Sequence, residues 1–245
     1  MLCKRTNVII IPCFYGERMS PKRWGVIFDV DGTMVDNKDY HQRAWIDLCR
    51  RHGMNLTSEM YRTHIHARPN NKIIPDIFGA DLSLAAAEAI ALEKETIYRQ
   101  LYRPHVKPLC GLIRLLGELS EHDIPCAAAS NSPAGNVSLV LDELAIRHYF
   151  ASVICADDVS CGKPDPEIFL ISAARLGLKP QRCIVFEDSV PGFEAARRAG
   201  SPCIAITSGA DNDHLNSFKD AIATHVDYTT VTFTELQRCI TALSA

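Results

Sequence analysis

From residue 24 onward, short apolar runs recur along the chain, each followed by a longer amphipathic stretch. The runs are Gly25–Val30, Ile124–Ala129, Ser152–Ala156, Cys183–Phe186 and Cys203–Ile206, with a weaker one at Thr224–Val226. Runs this short and this apolar, without polar alternation, predict strands buried on both faces. Between them, apolar residues return at helical spacing over Leu109–Glu121, Ala134–Ile146, Pro166–Leu176, Phe193–Ala199 and Thr234–Leu243. End signals accompany the pattern. Ser132-Pro133 and Asp165-Pro166 read as a cap followed by proline at the first helical position, and Gly177 and Gly200 fall where helices stop. Strands alternating with helices predict an α/β fold, a doubly wound parallel-sheet, Rossmann-like core. Ligands of such cores bind at the carboxyl ends of the strands.

Residues 37–103 break that rhythm and read as almost wholly helical. Tyr40–His52 is closed by Gly53, Ser58–Ile65 follows, and Leu84–Tyr102 opens near Ser83. Ala67–Asn70 reads as a loop, and Ile73-Ile74-Pro75 interrupts the helical pattern. Placed directly after the first strand, this segment is expected to stand over the strand ends as an inserted all-helical cap. The expected organisation is an N-terminal extension of no assigned function (1–23), a core made of 24–36 and 104–245, and the cap (37–103). In the extension, Lys4-Arg5 and Val8–Ile11 imitate an export signal, but Pro12 ends the run short of the roughly 7–15 apolar residues needed.

Composition narrows the class. A chain of 245 residues, 47% hydrophobic, can bury a full core. Its net charge of −3 and pI near 6.3 offer no basic face for nucleic acid. No apolar stretch approaches the about 18 residues of a membrane span. The ten cysteines are scattered without a CxxC pair, which favours a reduced, cytoplasmic protein over a disulfide framework. A monomer is the default expectation.

The chemistry starts with Asp29-Val30-Asp31-Gly32-Thr33 at the end of the first apolar run. Two acids two residues apart on a strand share a face. They repel each other unless a cation or a proton intervenes, so the pair reads as a nucleophile and an acid/base around a metal ion. Ser130-Asn131-Ser132, Gly162-Lys163-Pro164-Asp165-Pro166 and Glu187-Asp188-Ser189 also follow predicted strands and would reach the same rim. Each alone is ordinary: a helix cap, a solvated lysine, an acid pair favoured by a helix dipole. A calcium loop is a poor reading of Asp29 and Asp31, because its glycine belongs at the sixth position and its flanks are helical. The shared order and strand-end placement raise all four together.

In that order and over residues 26–200, these motifs resemble the haloacid dehalogenase superfamily, in its phosphatase and phosphomutase branch. The helical insert is similar to the cap of the subgroup that includes β-phosphoglucomutase and small sugar-phosphate phosphatases, particularly from Asp36 through His41 to Trp45. The resemblance implies that Asp29 attacks phosphorus to form an aspartyl-phosphate. Asp31 would protonate the leaving oxygen and then deprotonate the attacking water. It implies Mg2+ held by Asp29, the Asp31 backbone carbonyl and Asp188, with Glu187 in or near the shell. Ser130, the backbone at Asn131, and Lys163 would hold the phosphate. A carboxylate approaching phosphate meets about 4 kcal/mol of repulsion per charge pair at 4 Å and an effective dielectric of 20, so counter-charge is required. His41 at the hinge, and Arg68 and Asn70 in the cap, are candidates for substrate contact.

The expected activity is magnesium-dependent hydrolysis of a small phosphorylated metabolite, a sugar phosphate. A phosphomutase is the alternative, and a non-enzymatic phospho-acceptor module a more distant one. Two departures count against the mutase: Ser132-Pro133-Ala134 stands where a lysine and an asparagine are expected, and Asn70 where an arginine is.

Overall fold

The strands of this computed structural model carry the small and β-branched apolar residues that a sheet covered on both sides demands. They are β1 (Gly25–Phe28), β2 (Cys126–Ala129), β3 (Phe150–Ile154), β4 (Cys183–Glu187), β5 (Cys203–Ile206) and β6 (Ala223–His225). All pair in parallel, in the order β3-β2-β1-β4-β5-β6. The structure describes residues 24–65, 68–208 and 220–242; the N-terminal extension 1–23 lies outside them. The order reverses at β1, whose neighbours β2 and β4 belong to opposite halves of the sheet. A crevice opens at such a switch point beyond the strand ends, which is where β1 delivers Asp29.

Period-2 alternation splits the strands between two cores. Val26, Phe28, Ala128, Ile184, Phe186 and Ile204 face α5 (Leu112–Glu121), α6 (Ala134–Glu143) and α9 (Phe233–Ala242). Ile27, Ala127, Ala129, Val185 and Ala205 face α7 (Glu167–Arg175) and α8 (Val190–Ala199). Phe28 and Phe186 stack across neighbouring strands with ring centroids 5.1 Å apart. Cys126, Cys183 and Cys203 lie buried in these strands as free thiols.

Four helices fill the interval between β1 and α5: α1 (Lys38–Arg51), α2 (Ser58–His64), α3 (Asn70–Phe78) and α4 (Leu84–Tyr102). Helix α3 corrects the expectation that Ile73-Ile74-Pro75 interrupts the helical pattern, and it takes Asn70 out of the expected loop Ala67–Asn70, of which Ala67 lies outside the described residues. Pro69 precedes the helix, and Pro75 lies inside it. An internal proline forfeits one backbone hydrogen bond, a cost of about 3 kcal/mol. Ile73 and Ile74, each 1% exposed, offset it with about 1.5–3 kcal/mol apiece. Among the described residues no helix is long and apolar enough to cross a membrane.

Strand bounds also differ from expectation: β2 opens at Cys126 rather than Ile124, β4 runs on to Glu187, and β6 covers Ala223–His225 rather than Thr224–Val226. β3 begins and ends two residues before the expected Ser152–Ala156, and Ala156 starts a 3-10 turn. β1 stops at Phe28 rather than Val30, because the Val30 carbonyl accepts from the amides of Thr33 and Met34 and turns the chain. Gly32 sits in that turn at φ +84°.

Candidate active site

The turn after β1 sends its two acids to different partners. Asp29 and Asp31 do not share one strand face as period 2 predicts, because β1 ends at Phe28 and both acids lie beyond it. Asp29 Oδ1 accepts from Lys163 Nζ at 2.6 Å. The Asp31 carboxylate instead accepts from Ser132 Oγ at 2.6 Å, Ser130 Oγ at 3.0 Å and Asn37 Nδ2 at 2.5 Å, with His41 Nε2 at 3.7 Å.

Lys163 spends all three ammonium hydrogens here: on Asp29, on Glu187 Oε1 at 2.7 Å and on the Ala129 carbonyl at 3.0 Å. Asn131 fixes its backbone, accepting from the Lys163 amide at 2.9 Å and donating to the Lys163 carbonyl at 3.3 Å. Glu187 is equally occupied. Its Oε2 accepts from the Asp188 and Ser189 amides and from Ser189 Oγ, at the N-terminus of α8. A Cβ at Gly192 would fall 1.7 Å from Glu187 Oε1, so glycine is what lets α8 start against this carboxylate.

Asp29, Glu187 and Asp188, all buried, have carboxylate oxygens within 4.8 Å of one another. Burial pushes the Asp29 carboxyl well above its ordinary range; Lys163 opposes this, while Glu187, Asp188 and Asp31 add to it. Burial likewise drives Asp188 up to about 6, with Glu187 adding and Lys38 opposing. Lys163 stays firmly charged: burial lowers it, but Asp29 and Glu187 more than compensate. Asp31 goes the other way. Burial raises it, but the nearby His41 and the hydrogen bonds from Ser132 and Asn37 hold its carboxyl well below the usual range. Asp29, Glu187 and Asp188, when ionised and with Lys163 and Lys38 as their paired cations, leave one negative charge in excess and offer oxygen donors alone. That donor set fits a hard divalent cation such as Mg2+. The Asp31 carboxylate is outside the group.

The cap joins through buried polar groups. His41 stacks on Tyr98 with centroids 3.9 Å apart, and its Nδ1 lies 3.0 Å from Lys94 Nζ. An ammonium has no lone pair to offer, so Nδ1 is the acceptor and Nε2 carries the hydrogen toward Asp31. Lys94 also donates to Glu95 Oε1 at 2.9 Å; Asn70 and, from α6, Asn136 complete that carboxylate at 2.8 and 2.6 Å. Asn70 is thus drawn inward, the first residue of α3 rather than a loop residue. Arg68 is not brought to the site. Its guanidinium donates to Asp76 and to the His64 carbonyl, both within the cap, at 40% side-chain exposure.

Sequence reasoning passed over Asn37, Lys94 and Lys38, and it brought Ser132 to the rim without a role on Asp31. Ser132 gave a signal, but for a helix cap. Asn37 lies one residue past the motif's Asp36, and nothing in a buried lysine's neighbours marks it beforehand.

Comparison with known proteins agrees with this geometry. The family model described as haloacid dehalogenase-like hydrolase matches residues 26–206. A fructose-1-phosphate phosphatase of Escherichia coli is 31% identical over 74% of this chain and 95% of its own length. Hexitol phosphatase A of the same organism is 32% identical over 85% of this chain and 94% of its own. Among solved structures, a HAD hydrolase of Entamoeba histolytica superposes with a TM-score of 0.82 at 28% identity, covering 89% of this chain and 99% of that one. A β-phosphoglucomutase of Clostridium difficile gives 0.76 at 25%, covering 90% and 98%. Strand order, inserted helical cap, acid cluster and motif match lead to one conclusion: the chain belongs to the haloacid dehalogenase-like hydrolase family.

Proposed function

We propose that the protein is a Mg2+-dependent phosphatase that hydrolyses a small sugar phosphate through a phosphorylated Asp29. The observation that carries this is the division of labour between the two acids. Asp29 is set beside Lys163 in a buried cluster short of positive charge, while Asp31 is held ionised by hydroxyl and amide donors.

Asp29, Asp188 and Glu187 would hold the ion, with the Asp31 carbonyl as the further ligand implied by family resemblance. When bound, the ion supplies the positive charge that lets a carboxylate approach a phosphate dianion. An Asp29 oxygen forms a bond to phosphorus as the ester oxygen leaves; Asp31, protonated once the substrate dianion lies beside it, gives that oxygen its proton. Water then attacks phosphorus and gives its proton to Asp31 as the Asp29–phosphorus bond breaks. Ser130 and the Asn131 backbone orient the phosphoryl oxygens, and Lys163 contributes fixed charge. His41, with its hydrogen turned toward Asp31, ties that acid to the cap.

The phosphatases among the relatives support hydrolysis, and the β-phosphoglucomutase neighbour keeps phosphoryl return to the sugar as the second reading. The cap favours hydrolysis, since Arg68 is committed to Asp76 and Asn70 to Glu95. No guanidinium at those two positions is left to hold a second phosphate. A panel of phosphometabolites, assayed for free phosphate and for isomerised sugar phosphate with a bisphosphate primer present, tests the proposal. Phosphate release lost in Asp29→Asn is expected; isomerisation without phosphate release would overturn it. The working partner is a small metabolite, acted on in a reducing cytoplasm by a monomer.

A further inference from the structure

The ammonium of Lys38 lies 2.8 Å from Asp188 Oδ2. Lys38 is the first residue of α1, so the contact runs from the start of the cap into the core's acid cluster. It follows Asn37, whose amide holds Asp31. Its side chain is 38% exposed and that of Asp188 is 6% exposed, so the lysine reaches from the rim down onto a buried acid. The fit is built by packing. A Cβ at Gly32 would stand 2.1 Å from Asp188 Oδ2 and 2.9 Å from Lys38 Cε, so carboxylate and lysine stem share the space that glycine leaves open. Asp188 Oδ1 meanwhile accepts from Thr33 Oγ1 at 3.4 Å. The other lysine at the cluster, Lys163, is fully engaged by Asp29, Glu187 and the Ala129 carbonyl.

We propose that Lys38 is a cap-borne counter-cation that competes with the divalent ion for Asp188, so that loading the ion releases the first residue of the cap from the core. The inference rests on the reading that Asp29, Glu187 and Asp188 hold the ion. An ion on those carboxylates places two positive charges beside the ammonium, and the Lys38–Asp188 pair must open or lengthen. Lys38 therefore acts as a positioning residue: it neutralises Asp188 before the ion arrives and weakens the ion's hold once it has come. Its partial exposure lets the released ammonium turn into water.

The test is Mg2+ binding by titration calorimetry, without substrate, on the full chain. Lys38→Met should tighten the Mg2+ Kd by about three- to tenfold, and Lys38→Arg, which keeps the charge, should stay within about twofold of the wild type. Arg43→Met is the control, because Arg43 also lies on α1 but stacks over Tyr40, 5.3 Å from its ring centroid; its Kd should not change. Should Lys38→Met not fold, Lys38→Gln carries the same expectation. An unchanged or weaker Kd in the neutral variant overturns the inference, as does equal tightening in Arg43→Met. If the wild type binds no Mg2+, this inference and the metal reading both fall. If it binds normally and Lys38→Met is unchanged, this inference falls alone.

Discussion

Ser132 Oγ donates to Asp31 Oδ2 at 2.6 Å. The hydroxyl does not cap the helix that follows, as its place before Pro133 suggests: Pro133 is the capping residue of α6, and the Ala134 amide donates to Asp157 Oδ2 at 2.9 Å. A hydrogen bond to a buried charge is worth about 1.5–3 kcal/mol, so the Ser132 hydroxyl serves the site. The charge on Asp31 is thus maintained from two elements besides its own turn: the loop after β2, through Ser130 and Ser132, and the start of α1, through Asn37 and His41.

Ser132→Ala should therefore act on ionisation more than on folding. With one of its donors gone, Asp31 moves up toward the ordinary carboxylate range. Followed by 13C NMR of the aspartate carboxyls in the metal-free protein, the Asp31 titration should move upward by about one pH unit while those of Asp29 and Asp188 stay in place. A titration that does not move would mean that the Ser132 hydroxyl does not hold Asp31 ionised.

Lys163→Met should be severe. It leaves Asp29 and Glu187 buried at the same point without the ammonium that joins them. Breaking a buried pair from one side costs about 3–5 kcal/mol, read by urea denaturation without metal. Mg2+ should restore part of the loss, because it supplies charge to the same carboxylates; an equal loss with and without Mg2+ would contradict the ion's placement.

Much of this was legible in the sequence, for identifiable reasons. The strands of the core announce themselves because a parallel sheet covered on both faces leaves little room for polar residues, and β1, β2 and β4 show fully buried apolar runs. Asp29, Asp31, Glu187 and Asp188 stand at or just past the ends of β1 and β4, so their convergence follows from topology; Lys163 lies well past the end of β3 and reaches them through its loop. Helix α3 was hidden because Pro75 is a breaker in local terms, and its compensation, the burial of Ile73 and Ile74, is tertiary. Arg68 looked like a ligand for lack of any local sign that Asp76 would claim it. The Asn37, Lys38 and Lys94 contacts depend on how the cap meets the core, and no periodicity encodes that.

Stability should depend on pH in a way that separates the acids. The folded-state pKa of Asp188, about 6 against an ordinary 3.8, means that the folded protein holds this proton more tightly than the unfolded chain. Its contribution is fully present below the ordinary value and is lost as pH climbs through about 6. Asp29 shifts in the same direction. Asp31, shifted downward, contributes above the ordinary value and loses its contribution only in more acidic solution. The metal-free protein should thus melt at lower temperature near pH 7 than near pH 5, Asp188→Asn should flatten that slope, and Mg2+ should raise Tm more at pH 7 than at pH 5. A Tm in the metal-free protein that rises steadily across this window would contradict the picture of an under-neutralised acid cluster.

The most direct measurement is the mass of the enzyme during turnover. Asp31→Asn mixed with p-nitrophenyl phosphate and Mg2+, then quenched in acid, should retain one phosphoryl group on the peptide that contains Asp29, because the leaving group departs unaided while water lacks its base. Continued release of p-nitrophenol with no phosphoryl group on that peptide would mean that water attacks the ester directly, and that Asp29 is not the nucleophile.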